Sequence, residues 1–190
     1  MAVELFYETH TPTLHDEAGI SSGWLPGELS ERGRRAAREL GERWCDRGIG
    51  AVFSSDLRRS ADTARLAFPG GRPPVFHDAR LRACDYGAFN GRPAHVVEAE
   101  RVRHIDEPFP GGQSYQQVVL ATDSFLRDLA ASWDGKRVML IAHTATRWAL
   151  DYLLRGSRLE YLLSAPLRGE PGRMYIVPAR WAYSAHVTRE

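Results

Sequence analysis

Lysine is nearly absent from this chain: of its 25 lysine and arginine residues, Lys136 is the only lysine. These cations face 24 aspartates and glutamates, leaving a net charge of +1 with histidine neutral. So even a balance offers no electrostatic footprint for nucleic acid or for an anionic membrane surface. The preference for arginine over lysine is what a GC-rich genome produces, and it carries no functional weight by itself.

Cysteine is scarce too. Cys45 and Cys84 are the only two, and they match neither a zinc spacing nor a Cys-x-x-Cys redox motif. No third ligand completes a zinc set around the candidate histidines below, so no metal and no cofactor are expected. A long apolar run is missing, and the first residues carry an acid, Glu4, where a signal peptide carries bases. The expectation is a cytoplasmic protein with no membrane partner. Repeats, low-complexity blocks and linker-like stretches are also absent. The 190 residues are therefore expected to form one domain, 1–190, long enough to bury a core.

What is present alternates between strand and helix. Residues 3–7 read as a short strand, followed by a Gly/Pro/Ser-containing loop over 8–29. A helix starting at a Ser30 cap places Ala36, Ala37, Leu40 and Trp44 on one face. Residues 51–54 form a second strand, and the next helix is expected to be capped near Ser55 and closed by Pro69. Val75 and Phe76 suggest an edge strand. The broad segment 78–114 is long for a plain loop and is expected to contain a short helix around 93–103. Helix 115–132, the apolar strand 138–142, helix 146–154 and strand 174–177 complete the pattern. Strand 138–142 is apolar throughout, as a parallel strand covered on both faces requires. The alternation predicts an α/β fold, a three-layer α/β/α sandwich with a mostly parallel central sheet. Trp148, Leu150, Leu153 and Leu154 are expected in the core. Trp181 and Tyr183 are expected to make an edge-strand face or a dimer contact, compatible with a homodimer.

Three strands end in polar residues that could meet: His10 after the first, Ser54 and Ser55 after the second, and His143 after the apolar strand. Ligands of open α/β sheets gather beyond the carboxyl ends of the strands. Arg59, in the opening turns of the following helix, could reach that edge, where a helix N-terminus also favours an anion. Two imidazoles and a guanidinium suit phosphoryl transfer: a neutral ring nitrogen attacks phosphorus while the other groups neutralise the growing charge. Each of these residues taken singly is an ordinary hydrogen-bonding or solvated side chain.

The ordered motifs resemble the histidine phosphatase superfamily, which includes cofactor-dependent phosphoglycerate mutase. The motifs are Thr9-His10-Thr11, Ser22-Gly23-Trp24, Leu29-Ser-Glu-Arg-Gly33, Ser55-Asp-Leu-Arg-Arg59, Arg80-Leu-Arg-Ala-Cys-Asp-Tyr-Gly87, Gly111-Gly-Gln-Ser114 and Val138-Met-Leu-Ile-Ala-His143. The resemblance covers nearly the whole chain. It implies that His10 accepts the phosphoryl group, that Arg59 clamps its oxygens, and that His143 stabilises the transferring group. Ser22 and the Gly23 backbone would line the substrate side.

Departures from that family pattern fall at the site. Thr9 and Thr11 stand where the family has arginine and glycine around the nucleophile, and Thr144 where it has glycine after the second histidine. Ala83 occupies the position of the acid, and Asp16 that of an asparagine. Losing the arginine removes a charge-assisted donor worth roughly 1.5–3 kcal/mol. Losing the acid removes a proton donor worth about 100- to 10,000-fold. Asp85 is the first candidate to replace it, with a turn-capping role as the plain alternative. Glu8, Asp16, Glu17, Glu28 and Glu107 also lie in polar loops. Thr9, Thr11 and Thr144 could provide a hydroxyl-lined, substrate-binding wall. Segment 86–114 is expected to cover the site, with Trp24 either against substrate or in the core, and His95 and His104 at the surface. The expected activity is hydrolysis of a small-molecule phosphate ester through a phosphohistidine. The alternatives are a divergent binding or regulatory protein, or altered small-molecule chemistry in the same pocket. The first of these is a nonenzymatic role and would need no turnover.

Overall fold

The computed structural model describes residues 1–165 and 172–182. Five strands form one sheet: β1 (Ala2–Thr9), β2 (Ala51–Ser54), β3 (Val75–His77), β4 (Arg137–Ala142) and β5 (Arg173–Pro178), in the order β3-β2-β4-β1-β5. The first four run parallel, and β5 pairs antiparallel with β1 at one edge. Helices α1 (Leu14–Glu17), α2 (Glu31–Trp44), α3 (Arg58–Ala67), α4 (Ala94–Glu100), α5 (Tyr115–Ser132), α6 (Thr144–Arg155) and α7 (Leu159–Ser164) connect the strands. The result is the expected mixed α/β fold, with helices flanking a central sheet.

The apolar β4 explains the layering. Its side chains alternate between two faces: Val138, Leu140 and Ala142 enter a large core cluster with Leu126 and Leu150, while Met139 and Ile141 enter a smaller one with Leu40 and Ala64. A strand covered on both faces has no position left for a polar residue. Trp148, Leu150 and Leu153 are buried as expected.

Two local expectations change. Helix α3 begins later than Ser55: its N-cap is Leu57, which makes no side-chain capping bond. The Ser55 hydroxyl is instead committed across the sheet, as described below. Trp181 forms no open edge face, because its indole Nε1 donates to Asp123 Oδ1 at 2.7 Å and the ring packs on the main core. Tyr183 lies outside the described residues.

Gly33, in the first turn of α2, packs against the backbone carbonyl of Pro12 so closely that any Cβ would collide with it. This contact, with Ser30 capping Gly33 N at 3.0 Å, seats α2 on the loop that follows β1. The chain leaving His10 is thereby fixed.

Candidate active site

The two histidines meet because of strand register. Thr9 of β1 is the partner of Ala142 of β4, and each is followed by a histidine. The His10 amide continues the ladder by donating to the Ala142 carbonyl at 3.0 Å. The imidazoles end 5.1 Å apart between centroids, tilted by 54°.

Hydrogen bonding sets the state of His10. Its Nδ1 lies 3.0 Å from the Thr11 carbonyl, which can only accept, so Nδ1 carries the proton. The lone pair then sits on Nε2, and Arg59 Nε–H donates to it at 3.3 Å. Burial first, and then the Arg59 charge, push the His10 pKa from 6.5 to about 4, against smaller opposing effects of Asp16 and the Thr11 carbonyl. The ring is neutral at ordinary pH.

His143 is the N-cap of α6 and is itself buried. Its Nε2 shares a 2.6 Å hydrogen bond with the Ser55 hydroxyl, while Nδ1 is buried without a partner among the described residues. Burial, the Arg59 charge and the neighbouring His10 hold its pKa well below 6.5. A buried polar nitrogen left unpaired is exceptional.

Arg59 is only 3% exposed, and it is pinned by loop carbonyls. Its Nη2 donates to Gly23 O at 2.8 Å and Nη1 to Leu25 O at 3.3 Å. Gly23 can present that carbonyl because it adopts φ +52° and lies against Asn90 with no room for a Cβ. Burial lowers the Arg59 pKa, but so strong a base keeps its charge.

These groups border a hollow of about 200 Å³. The first turn of α6, with Thr144 and Ala145, opens onto it, so a helix N-terminus faces the same space as Arg59. A larger cleft of about 1030 Å³ lies along α2, α3 and the 69–73 loop, but it contains neither His10, His143 nor Arg59. Among the described residues no group of three or more His, Cys, Asp or Glu could hold a metal ion, and no helix is long and apolar enough to cross a membrane.

Of the candidates read from the sequence, His10, Arg59, His143, Ser22, Gly23 and Thr144 border the hollow. Three do not. Asp85 turns away: its Oδ1 accepts from Gly87 N at 3.0 Å and Asn90 Nδ2 at 2.6 Å, which is the turn-capping arrangement. Thr11 is buried behind His10, where its amide and hydroxyl both meet Thr63 Oγ1. Thr9 shares a 3.2 Å bond with the Tyr7 hydroxyl, which itself supports the His143 carbonyl.

Of the loop carboxylates only Asp16 borders the hollow among the described residues, with its Oδ2 accepting from the amide and hydroxyl of Thr13 at 2.8 and 2.7 Å; the others named here lie elsewhere. Glu8 is buried on the opposite face of the sheet, bound to Trp44 Nε1 and near Arg43. Glu17 accepts from Ser30, and Glu28 pairs with Arg58. Trp24 stitches the first loop to residue 83 by donating to the Ala83 carbonyl at 2.7 Å, with Arg82 over its ring.

The sequence reading missed Glu98 and Arg101, which border the hollow beside Tyr86 and Trp148. With Ala94 they fall at i, i+4 and i+7, one face of α4 continued through its C-cap. That spacing was the available signal. It was hidden because residues 93–103 could be placed on a helix but not oriented toward anything.

A parallel-sheet domain with paired neutral imidazoles, a buried arginine and a helix N-terminus around one small hollow defines a protein built to handle phosphoryl groups. The sequence model of the histidine phosphatase superfamily (branch 1) matches residues 9–177, and the chain belongs to that family. Phosphoserine phosphatase 1 of Hydrogenobacter thermophilus is 25% identical over 162 residues, covering 81% of this chain and 77% of that protein. A mycobacterial glucosyl-3-phosphoglycerate phosphatase solved with VO3 is 25% identical with a TM-score of 0.76, covering 94% of this chain and 99% of that one. Phosphoglycerate mutase from Bacillus anthracis shares the fold at 17% identity and a TM-score of 0.77, over 94% and 89% of the two chains. Family membership and these similarities support a phosphomonoesterase-type activity.

Proposed function

We propose that this chain hydrolyses small-molecule phosphomonoesters by transferring the phosphoryl group to Nε2 of His10. The observation that carries the proposal is the commitment of Nδ1–H to the Thr11 carbonyl, which leaves a lone pair on Nε2 beside the Arg59 guanidinium. In the first step Nε2 attacks phosphorus, the P–O ester bond breaks, and the leaving oxygen takes a proton from solvent water. Water then attacks phospho-His10, releasing inorganic phosphate and restoring the imidazole.

In this reading Arg59 Nε–H exchanges its bond to His10 for one to a phosphoryl oxygen, and the His143 ring meets another. The α6 N-terminus adds amide donors. Ser22, Gly23 and Thr144 contact the substrate, while Thr9 and Thr11 support the two histidine backbones from behind. The exchange of arginine for Thr9 costs charge next to the nucleophile. Ala83 borders the hollow without a proton to give, so esters with good leaving groups are turned over fastest.

The test is phosphate release from aryl and alkyl phosphomonoesters by the wild type and by His10→Ala. Release from 4-nitrophenyl phosphate that disappears in the variant supports the proposal. No release by wild type, even from that activated ester, overturns it and favours a protein that binds without turnover.

A further inference from the structure

We propose that Arg101 forms a second anion-binding subsite in this hollow, receiving a carboxylate on the leaving group of the substrate. The inference rests on the reading of the hollow as a phosphomonoesterase site and deepens it.

Arg101 is only 7% exposed, a rare condition for arginine, and its Nε is buried without a hydrogen-bond partner. Its guanidinium carbon sits over the Trp148 ring, 5.1 Å from the ring centre, a cation–π contact that holds the head group beside the indole. Both residues border the hollow. Arg101 Nη2 donates to Glu98 Oε1 at 3.1 Å, but that carboxylate is 45% exposed. A half-solvated pair three residues apart on a helix is a weak one. It leaves the buried edge of the fork unsatisfied.

The two arginines of the hollow divide the space. Arg59 sits against the histidines, bonded to His10 and to the first loop. Arg101 hangs from α4 on the side of Trp148, more than one helical turn along α6 from His143. The electrostatics agree: both imidazoles respond to Arg59, whereas the Tyr86 phenol, pushed up to about 12 chiefly by burial, feels Arg101 more strongly than Arg59. A phosphoryl group placed between His10 and Arg59 leaves Arg101 facing the rest of the ester. A planar fork held over an indole, with Nε lacking a partner, matches a carboxylate better than a hydroxyl.

The experiment compares 3- and 4-carboxyphenyl phosphate, each with its neutral carboxamide counterpart, as substrates of the wild type, Arg101→Met and His10→Ala. Methionine keeps an unbranched chain on Trp148. The expected result is that Arg101→Met lowers kcat/KM for at least one carboxylate ester about 10- to 100-fold more than for its carboxamide, as loss of a charge-assisted bond predicts. Equal loss for both esters overturns the subsite, since Arg101 would then serve the transferred group or the fold.

A second arm needs neither turnover nor a variant. Isothermal titration of wild type with the corresponding carboxyphenylphosphonates and carboxamidophenylphosphonates should show tighter binding of a carboxylate by a similar factor, and equal affinities overturn the subsite. Failure of the parent reading looks different: no ester is hydrolysed, or His10→Ala hydrolyses them as well as wild type.

Discussion

Nε2 of His143 and the hydroxyl of Ser55 are joined by a 2.6 Å hydrogen bond across the gap between the ends of β4 and β2. Both residues are buried, Ser55 completely. The bond occupies one ring nitrogen and leaves the other buried without a partner among the described residues, while the residue borders the hollow. Ser55→Ala should therefore cost about 1–3 kcal/mol of stability, the desolvation penalty of a buried nitrogen left unpaired. It should also lower kcat for phosphate release, because the ring loses its orientation. Urea unfolding alongside kinetics checks both, and unchanged values in the two measurements would remove this role from Ser55.

The imidazole pair predicts the pH dependence. His10 titrates near 4 in the folded protein and near 6.5 when unfolded, and His143 is displaced in the same direction. Between those values the unfolded chain binds more protons than the folded one, so stability rises with pH across this window and levels off above it. Replacing His10 by Gln should flatten the slope in urea titrations between pH 4.5 and 6.5.

Activity should follow the same logic. A nucleophile already neutral at pH 5 keeps kcat/KM for 4-nitrophenyl phosphate from falling through an acid limb at 6.5; the limb attributable to His10 should lie near 4. A midpoint at 6.5 would mean that His10 is not held neutral in the way its bonds to Thr11 and Arg59 require.

Gly23→Ala should weaken phosphate-analogue binding rather than unfold the protein. The new methyl group meets the Asn90 side chain, at a backbone φ of +52° that costs an ordinary residue about 1–2 kcal/mol. Relief requires moving the carbonyl that anchors Arg59. Vanadate inhibition weakened roughly tenfold would match the loss of one such anchor.

Ala83→Glu tests the missing proton donor. Ala83 borders the hollow, so a carboxyl group there can reach the leaving oxygen of a bound ester. Release from alkyl phosphates should rise by about 100-fold or more, with little change for 4-nitrophenyl phosphate, whose leaving group needs less assistance. A uniform change for both ester types would count against a proton-donor deficit.

Much of the fold was legible because its signals are local. The apolar run Val138–Ala142 read as a strand buried on both faces, and Ser30 followed by apolar positions at helical spacing read as the start of a helix. The pairing of His10 with His143 was readable too, since each ends an apolar strand and ligands collect at those ends. Asp85 was not readable. Two residues from Ala83, it could face the site or cap a turn, and the choice depended on Asn90 and Gly87 folding back onto it. The α3 cap failed for a similar reason: Ser55 and His143 could be placed at neighbouring strand ends, but whether the Ser55 hydroxyl caps its own helix or bonds His143, 88 positions away, depended on the packed structure.

The sequence alone therefore determined the alternation of elements, the α/β class, and the residues that end its parallel strands. Short-range periodicity, caps and turns encode these, and they act within a few residues. Tertiary structure decided which polar groups share the hollow. Arg59 acquires its aim from Gly23 and Leu25, and Arg101 its place over the ring of Trp148. Such choices rest on side chains brought together from distant segments, where each buried donor must find an acceptor once water is excluded.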